Sequence, residues 1–400
     1  MRIRRGHHFC VRLTSSVSID LNALLSGSIR KVRRQVPVAA CPLVGGELRL
    51  STRAFQFLRE LSPGEWLELD EASAAPEDGD LSSLVANGLI ITDRETSPDM
   101  ELRCRDEAAR ESFWHPYAFL HHAITRGERP ETEALPKDLD QLAEQARLDL
   151  ANLVAKSPPP EPAFQPSATQ ASSTQEIALP IEPTDERLFE LMAGRSTVRI
   201  FDRDSSITQR QLSILLREVW GVVGTSESIP GLKLFKKTSP SGGALHPTEV
   251  FPLIISVQGM EPGVYHYNAE SHRLACLHSL DVEAARDLAD RVSGGQIYPR
   301  NAAALFMMTS RFERCFWKYR NHAKAYRVAC FDVGHLSQSF YLACTAIGLG
   351  PFFSAAIDDE EIETLLNIDG IGHAPMAICG CGVPTKAGIN LGLRVEPSRI

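Results

Sequence analysis

The sequence predicts an α+β protein built from two parts that a proline-rich segment joins. Three observations support this prediction: a proline-rich stretch near the middle of the chain, a helix–helix–strand pattern before it, and apolar runs alternating with amphipathic segments after it. The length of 400 residues corresponds to roughly two or three domains. The hydrophobic fraction of 43% is sufficient for a sizeable core.

The stretch from 156 to 185 mixes many prolines with Ser, Thr, Gln and Ala. Such a composition buries too little apolar surface to offset the entropy that ordering the chain would cost. We therefore predict a linker over residues 156–185, an N-terminal region over 1–155 and a C-terminal domain over 186–400.

A helix–helix–strand pattern precedes this linker. The first helix is predicted to begin at Ser51 or Thr52, which can cap it. The second begins near Asp80, and an apolar strand follows over 89–92. This order indicates a small winged-helix-like, peptide-binding domain, with a helical bridge over 107–150. A packing domain without a binding role fits the pattern equally well.

Strands alternate with helices after the linker, which predicts a central mixed sheet flanked by helices. The predicted elements are an amphipathic helix over 209–220, strands over 250–257, 303–309 and 375–382, a long buried helix over 326–347, and a helix capped by Asp358.

Composition argues against several classes of function. A formal net charge of -8 gives no reason to expect a nucleic-acid partner. No apolar stretch approaches the roughly 18 residues of a membrane span, so we expect a soluble protein without a membrane partner. The nine cysteines show no zinc-binding spacing, which predicts no metal site and a reducing, cytoplasmic compartment.

The first candidate site segment runs from Arg195 through Ser196, Thr197 and Val198 to Arg199. In an extended segment Arg195, Thr197 and Arg199 project to the same side. Two guanidinium groups with a hydroxyl between them suit a phosphate, because arginine supplies forked, charge-assisted donors. An exposed strand that happens to carry two arginines is the alternative.

The second candidate segment runs from Ser239 to Pro247 and contains Pro240, Ser241, Gly242, Gly243 and Ala244. Its glycines allow backbone N–H groups to approach a flat ligand without a clash with Cβ. Taken alone, the same residues could be a simple turn before the next strand.

The third candidate segment contains Lys318 and Tyr319. An ammonium beside a phenol favours the phenolate form, which makes the tyrosine a candidate proton acceptor. In isolation the two residues could also be a surface pair of no consequence.

In this order the segments resemble the SagB-type (thiazole/oxazole) peptide dehydrogenases of the nitroreductase-like FMN family, and most closely the peptide maturation dehydrogenases among them. The resemblance extends from about Arg195 to Pro384. The matching segments are Arg195–Phe201, Pro240–Pro247, Pro262–Tyr267, Lys318–Tyr319, Tyr326–Arg327, Gly334–His335 and Gly348–Gly350. This sequence departs from the family at His246, where the family often has tyrosine.

The resemblance implies a nitroreductase-like domain in which Arg195, Thr197 and Arg199 hold the FMN phosphate and ribityl chain. Residues 240–244 would line the isoalloxazine ring, and Lys318 with Tyr319 would form the catalytic pair. The hypothesis requires the two arginines to lie close to the turn over 241–244, so that they enclose one cavity.

The implied activity is the oxidation of an azoline ring to an azole in a ribosomally synthesised peptide. The implied partners are the precursor peptide, a cyclodehydratase or another maturation enzyme, and a second copy of the chain in a homodimer. Two alternatives remain open: a general NAD(P)H-dependent nitro- or quinone reductase on the same fold, and a non-catalytic peptide-binding module on a degenerate flavin fold.

Overall fold

The computed structural model describes most of the chain. The described residues are 1–19, 31–44, 47–69, 78–127, 144–145, 148, 151–152, 154–156, 187–229, 232–322 and 324–385. Apart from its first residue, the predicted linker over 156–185 lies outside them. The domain boundaries therefore stay a prediction.

Two small antiparallel sheets and four helices make up the described N-terminal part. The strands are β1 (Arg2–Arg5), β2 (Cys10–Ile19), β3 (Lys31–Ala40), β4 (Glu47–Arg49), β5 (Leu67–Glu68) and β6 (Ile90–Thr92), and the helices are α1 (Thr52–Glu60), α2 (Asp78–Ala86), α3 (Ser97–Glu111) and α4 (Pro116–Gly127). One sheet has the order β5-β1-β6 and the other the order β2-β3-β4.

The predicted helix–helix–strand pattern is confirmed. Ser51 caps α1, because its side chain accepts a hydrogen bond from the Ala54 N–H at 3.0 Å. Helix α2 ends before Gly88, whose φ of 68° is the left-handed conformation that glycine adopts easily. Strand β6 follows directly and is buried along its length.

The C-terminal part contains a six-stranded sheet, a separate hairpin and helices. The hairpin is β7 (Gly224–Ile229) and β8 (Leu232–Lys236); the sheet contains β9 (Thr248–Ile254), β10 (Gly263–Asn268), β11 (Arg273–Ser279), β12 (Ala304–Arg311), β13 (Gly350–Ser354) and β14 (His373–Gly382). The helices are α5 (Arg187–Gly194), α6 (Gln209–Leu215), α7 (Val282–Val292), α8 (Phe312–Lys318), α9 (Lys324–Ala346) and α10 (Asp359–Leu366).

The α+β fold class is confirmed, but the sheet is not mixed as predicted. Its order is β11-β10-β9-β12-β14-β13, and every described pair of neighbouring strands is antiparallel. The reason is the position of β14, which lies between β12 and β13 and runs opposite to both. The single parallel contact among the described residues is an isolated bridge between Ile207 and Val257.

The predicted helices of this part are confirmed, with one difference. The helix predicted over 209–220 begins with a capping box formed by Thr208 and Gln211, but its last turn, Leu216–Trp220, is a π-helix. The long helix predicted over 326–347 is α9, and it ends next to Gly348, where φ is 74°.

The two parts of the chain share one hydrophobic core. Trp114, only 1% exposed, packs from the N-terminal part edge-on against Phe312 and Phe316 of α8, at centroid distances of 4.8 and 4.7 Å, while the two phenylalanine rings stack on each other at 5.6 Å. Its indole N–H donates to the Ile371 carbonyl at 3.0 Å. The N-terminal part therefore packs directly behind α8.

An ion pair makes a second connection between the parts. Arg126 of α4 binds Glu363 of α10 through two hydrogen bonds, and Glu363 is only 8% exposed. Burial, with the neighbouring Glu363 charge second, raises the pKa of Asp359 to about 7. At neutral pH the carboxyl groups of Asp359 and Glu363 therefore compete for the guanidinium of Arg126.

We predict that Asp359→Asn stabilises the fold at pH 8. The raised pKa means that the folded state keeps a proton that the unfolded chain has already lost between about pH 4 and 7, so stability decreases as pH rises through this window. Asparagine removes this cost, which we expect to be worth roughly 1–3 kcal/mol at pH 8 and close to zero at pH 4. Denaturant unfolding at both pH values measures the difference.

The exposed Asp204, replaced by asparagine, is the matched control and should leave stability unchanged at both pH values. Equal effects of Asp359→Asn at pH 4 and pH 8 would contradict the prediction.

Candidate functional site

The glycine-containing loop after β8 has a strained backbone. Residues 242–244 form a 3₁₀ turn, and φ is positive at Gly243 (67°), Ala244 (57°) and His246 (46°). Non-glycine residues in this conformation cost free energy and concentrate at functional sites. The surrounding contacts must therefore hold this loop in place.

Asp332 of α9 is the main anchor of the loop. Its carboxylate accepts the Ser241 hydroxyl at 2.5 Å and the Gly242 N–H at 3.1 Å, and the residue is 4% exposed. Burial raises the pKa of this carboxyl, and the two hydrogen bonds oppose that rise. Gly242 also packs against Val328, which occupies the space that a Cβ at this position would need.

His246 ties the other end of the loop to β8. Burial is the main cause that lowers its pKa to about 4, and nearby Lys237 adds to the effect. The neutral ring places Nε2 3.0 Å from the Phe235 carbonyl, to which it can donate. In this chain the histidine is therefore a structural support of the loop.

The structure brings Lys318 and Tyr319 together at this loop. Both follow from the end of α8, and both converge on Gly243: Lys318 Nζ and Tyr319 Oη each lie 2.9 Å from the position that a Cβ on Gly243 would occupy. An ammonium and a phenol thus stand side by side over a glycine. We call these residues, with Ser241, Gly242 and Asp332, the lysine–tyrosine half-site.

The arginine segment forms a second cluster. The guanidinium of Arg195 lies over the Tyr341 ring and that of Arg199 over the Tyr298 ring, each at 5.5 Å from the centroid. Thr197 Oγ1 is 3.0 Å from Tyr341 Oη. Val198 is buried, whereas its neighbours are partly exposed. We call this cluster the arginine half-site.

The arginine half-site fits a phosphate group. Among the described residues, neither Arg195 nor Arg199 forms an ion pair with a carboxylate. Stacking on the two tyrosine rings orients both guanidinium groups while leaving N–H donors available. A dianionic phosphate would therefore find two cations and the Thr197 hydroxyl within one segment of five residues.

The two half-sites lie on different sides of α9 within one chain, and the expected single cavity stays a prediction. Both contact α9, but on different sides: the loop contacts Val328 and Asp332, whereas the arginine segment contacts Tyr341. Asp332 and Tyr341 are nine residues apart, which is about two and a half turns. They consequently point to opposite faces of the helix, and no described contact joins the arginines to residues 240–244.

Sequence reasoning missed the residues that support both half-sites. Asp332, Tyr341 and Tyr298 contact the predicted segments but lie far from them in sequence. One signal was available: Asp332 is a lone acidic residue inside a long apolar helix, and a buried charge of this kind normally has a dedicated partner. The two tyrosines carried no such signal.

Among the described residues, no group of three or more His, Cys, Asp or Glu side chains could hold a metal ion. In the same part of the chain, no helix is both long and apolar enough to cross a lipid bilayer.

Comparisons with known proteins match this region. The nitroreductase family profile matches residues 192–383. The nitroreductase-like protein MJ1384 of Methanocaldococcus jannaschii is 33% identical over 195 residues, which cover 49% of this chain and 91% of that protein.

Two matching relatives are named for peptide processing. The trifolitoxin-processing protein TfxB of Rhizobium leguminosarum is 34% identical over 145 residues, 36% of this chain and 38% of TfxB. The microcin B17-processing protein McbC of Escherichia coli is 29% identical over 177 residues, 42% of this chain and 62% of McbC. This chain thus spans less than two thirds of each. These matches confirm the resemblance that the sequence motifs indicate.

We predict that Gly243→Ala disturbs Lys318 and Tyr319, whereas Gly259→Ala does not. Both glycines have positive φ, 67° and 75°, so both substitutions should cost roughly 1–2 kcal/mol of backbone strain. Only at Gly243 would the added methyl group meet Nζ and Oη; Gly259 has nothing within 4 Å.

The measurement is an NMR spectrum of protein with ¹³C-labelled tyrosine, of which the chain has seven. The resonance that disappears in Tyr319→Phe is assigned to Tyr319. We expect the Tyr319 resonance to shift in Gly243→Ala alone. An unchanged Tyr319 resonance in that variant would contradict the contact.

Proposed function

This chain belongs to the nitroreductase family and is therefore an oxidoreductase, and we propose from this premise that it is an FMN-dependent dehydrogenase acting on a ribosomally synthesised peptide. The observation that carries the proposal is the convergence of Lys318 and Tyr319 on the Gly243 loop. The relatives named for trifolitoxin and microcin B17 processing support a peptide as the substrate.

The two half-sites would divide the binding of FMN between them. Arg195, Thr197 and Arg199 would hold the phosphate and ribityl chain, since both arginines lack carboxylate partners among the described residues. The strained loop over 240–244 would line the ring, because its glycines permit close backbone approach. Bound FMN supplies a two-electron acceptor for hydride.

The lysine–tyrosine pair would manage the proton of the reaction. Converting an azoline to an azole removes one proton and one hydride, so the peptide loses 2 Da in total. Tyr319 would accept the proton from the ring Cα, and the Lys318 ammonium beside it would stabilise the phenolate. Asp332 would act indirectly, by holding the loop on which both side chains rest.

A homodimer would unite the two half-sites. Because they lie on opposite faces of α9, a second copy related by a two-fold axis could place its arginine half-site against the lysine–tyrosine half-site of the first. Phe331 of α9 is 58% exposed, and α5, which packs on α9, exposes Leu188, Phe189 and Met192. Sedimentation velocity tests this point: a monomer that retains flavin would contradict it.

The maturation of a modified peptide requires further enzymes, so we propose a cyclodehydratase or another maturation enzyme as a functional partner. A general nitro- or quinone reductase is the second candidate, because MJ1384 matches over nearly its whole length. Rapid bleaching of the bound flavin by NADPH without any peptide would favour this second function.

We predict that Arg199→Ala weakens flavin binding by roughly ten- to a hundredfold. Each charge-assisted hydrogen bond to the phosphate contributes about 1.5–3 kcal/mol. The control is Arg203→Ala on the same segment, since Arg203 already pairs with Glu283 at 2.7 Å and is exposed. Flavin absorbance per protein and a fluorescence titration provide the measurement. Equal flavin affinity in the two variants would exclude this phosphate site.

We predict that Lys318→Ala and Tyr319→Phe retain flavin but lose peptide oxidation by a factor of about 10² or more, as expected for the loss of a proton acceptor. The measurement is mass spectrometry of the precursor peptide co-expressed with each variant, where the wild type should produce a 2 Da loss. The exposed Lys236, replaced by alanine, is the control. If the Lys318→Ala variant oxidises the precursor peptide fully, the lysine–tyrosine pair is not catalytic.

A further inference from the structure

A large cleft lies between the N-terminal part and the C-terminal domain. Its volume is about 990 Å³, at the upper end of the range of roughly 300–1,000 Å³ for ligand sites. One wall is the end of α3 with the following residues, up to Phe113; the other is α8 with Arg314 and Trp317. Lys233 and Phe235 of β8 close one end.

Residues that line this cleft are direct neighbours in sequence of the lysine–tyrosine half-site. Trp317 directly precedes Lys318, and Leu245, which also lines the cleft, directly follows Ala244. Arg314 of α8 holds the loop at this place, because its Nε donates to the Leu245 carbonyl at 3.0 Å. The cleft and the candidate catalytic pair are therefore built from the same two segments, α8 and the loop after β8.

Two exposed aromatic side chains stand at the cleft. Trp317 is 53% exposed and Phe113 is 41% exposed. Phe113 has a φ of 56°, and its carbonyl accepts the N–H of Asn321, whose φ is 52°. The Arg320 guanidinium lies 4.9 Å from the Phe113 ring centroid. Phe113 directly follows the C-cap residue of α3, where a left-handed conformation commonly ends a helix. These contacts hold the exposed phenylalanine ring at the cleft.

Some charged side chains of the cleft have an ion-pair partner and others have none among the described residues. Lys233 forms an ion pair with Glu270 outside the cleft. The carboxylates of Glu111 and Glu313 line the cleft, are exposed, and form no ion pair with a described residue. The lining also holds Arg314, whose Nε donates to the Leu245 carbonyl, and Asp369, whose Oδ1 accepts three backbone N–H groups. With three carboxylates and two cations in the lining, a ligand with a cationic group would complement the cleft better than an acidic one.

We propose that this cleft binds the stretch of precursor peptide next to the reacting residue, in extended form. An apolar side chain would pack against Trp317 and Phe113, and a basic residue would face Glu111 and Glu313. A flat nitro- or quinone acceptor would fill only a small part of this volume and would leave the rim carboxylates without a partner. The inference rests on the proposed function and adds where the peptide lies and which flanking residues it carries.

The test uses the flavin-loaded, full-length chain and a fluorescein-labelled synthetic heptapeptide with a central thiazoline flanked by leucine and lysine. Fluorescence anisotropy gives Kd for the wild type, Trp317→Ala, Phe113→Ala and the control Tyr117→Ala. Tyr117 is 71% exposed and lies four residues from Phe113, but it does not line the cleft. A second peptide carries aspartate in place of lysine. Flavin content checks that each variant is folded. If Trp317→Ala does not fold, Phe113→Ala still tests the cleft.

We expect Trp317→Ala to raise Kd at least tenfold, Phe113→Ala to raise it severalfold and Tyr117→Ala to leave it within twofold. The aspartate peptide should bind more weakly to the wild type, and the double variant Glu111→Gln/Glu313→Gln should abolish this preference. A wild type that binds neither peptide, or a Trp317→Ala variant that equals the control, overturns the inference.

The natural precursor separates this failure from that of the proposed function. If the wild type produces the 2 Da loss while Trp317→Ala and Tyr117→Ala behave alike, only the cleft is refuted. If the wild type produces no mass loss, the proposed oxidation itself fails.

Discussion

The packing of Trp114 against the two stacked phenylalanine rings of α8 is the contact on which the arrangement of the site depends. It connects a part of the chain that folds near the N-terminus to a helix about 200 residues later in sequence, whose last residue is Lys318. Buried aromatic pairs contribute roughly 0.5–1.5 kcal/mol each beyond the burial of their area. The indole N–H also donates to the Ile371 carbonyl, and this hydrogen bond fixes the orientation of the ring. The N-terminal part therefore helps to position α8 and, with it, the lysine–tyrosine pair at the end of that helix.

Helix α9 is the second organising element, because it serves two separate clusters. One face receives the strained loop through Val328 and Asp332, and the opposite face receives the arginine segment through Tyr341. A helix of this diameter separates the two clusters within a chain. The proposed homodimer would offer a ligand both clusters at once, one from each copy of the chain.

Local patterns predicted local structure well and long-range structure poorly. The Ser51 cap, the stop at Gly88 and the extent of α9 depend on residues within a few positions of each other, and all three were predictable. The antiparallel order of the sheet was not, because it depends on where β14 inserts. The support of the loop by Asp332 was equally inaccessible, since the partners lie 91 residues apart. The motifs located both half-sites, but periodicity contains no information about which side of α9 each would occupy.

The shared core has a consequence for the region that the family profile matches. The family profile covers residues 192–383 alone, whereas the rings of Phe312 and Phe316 are covered here by Trp114. Without the N-terminal part, these two rings would lose the cover of Trp114 and present apolar surface to water. The region that the profile matches therefore depends on the preceding part of the chain for the burial of its own side chains.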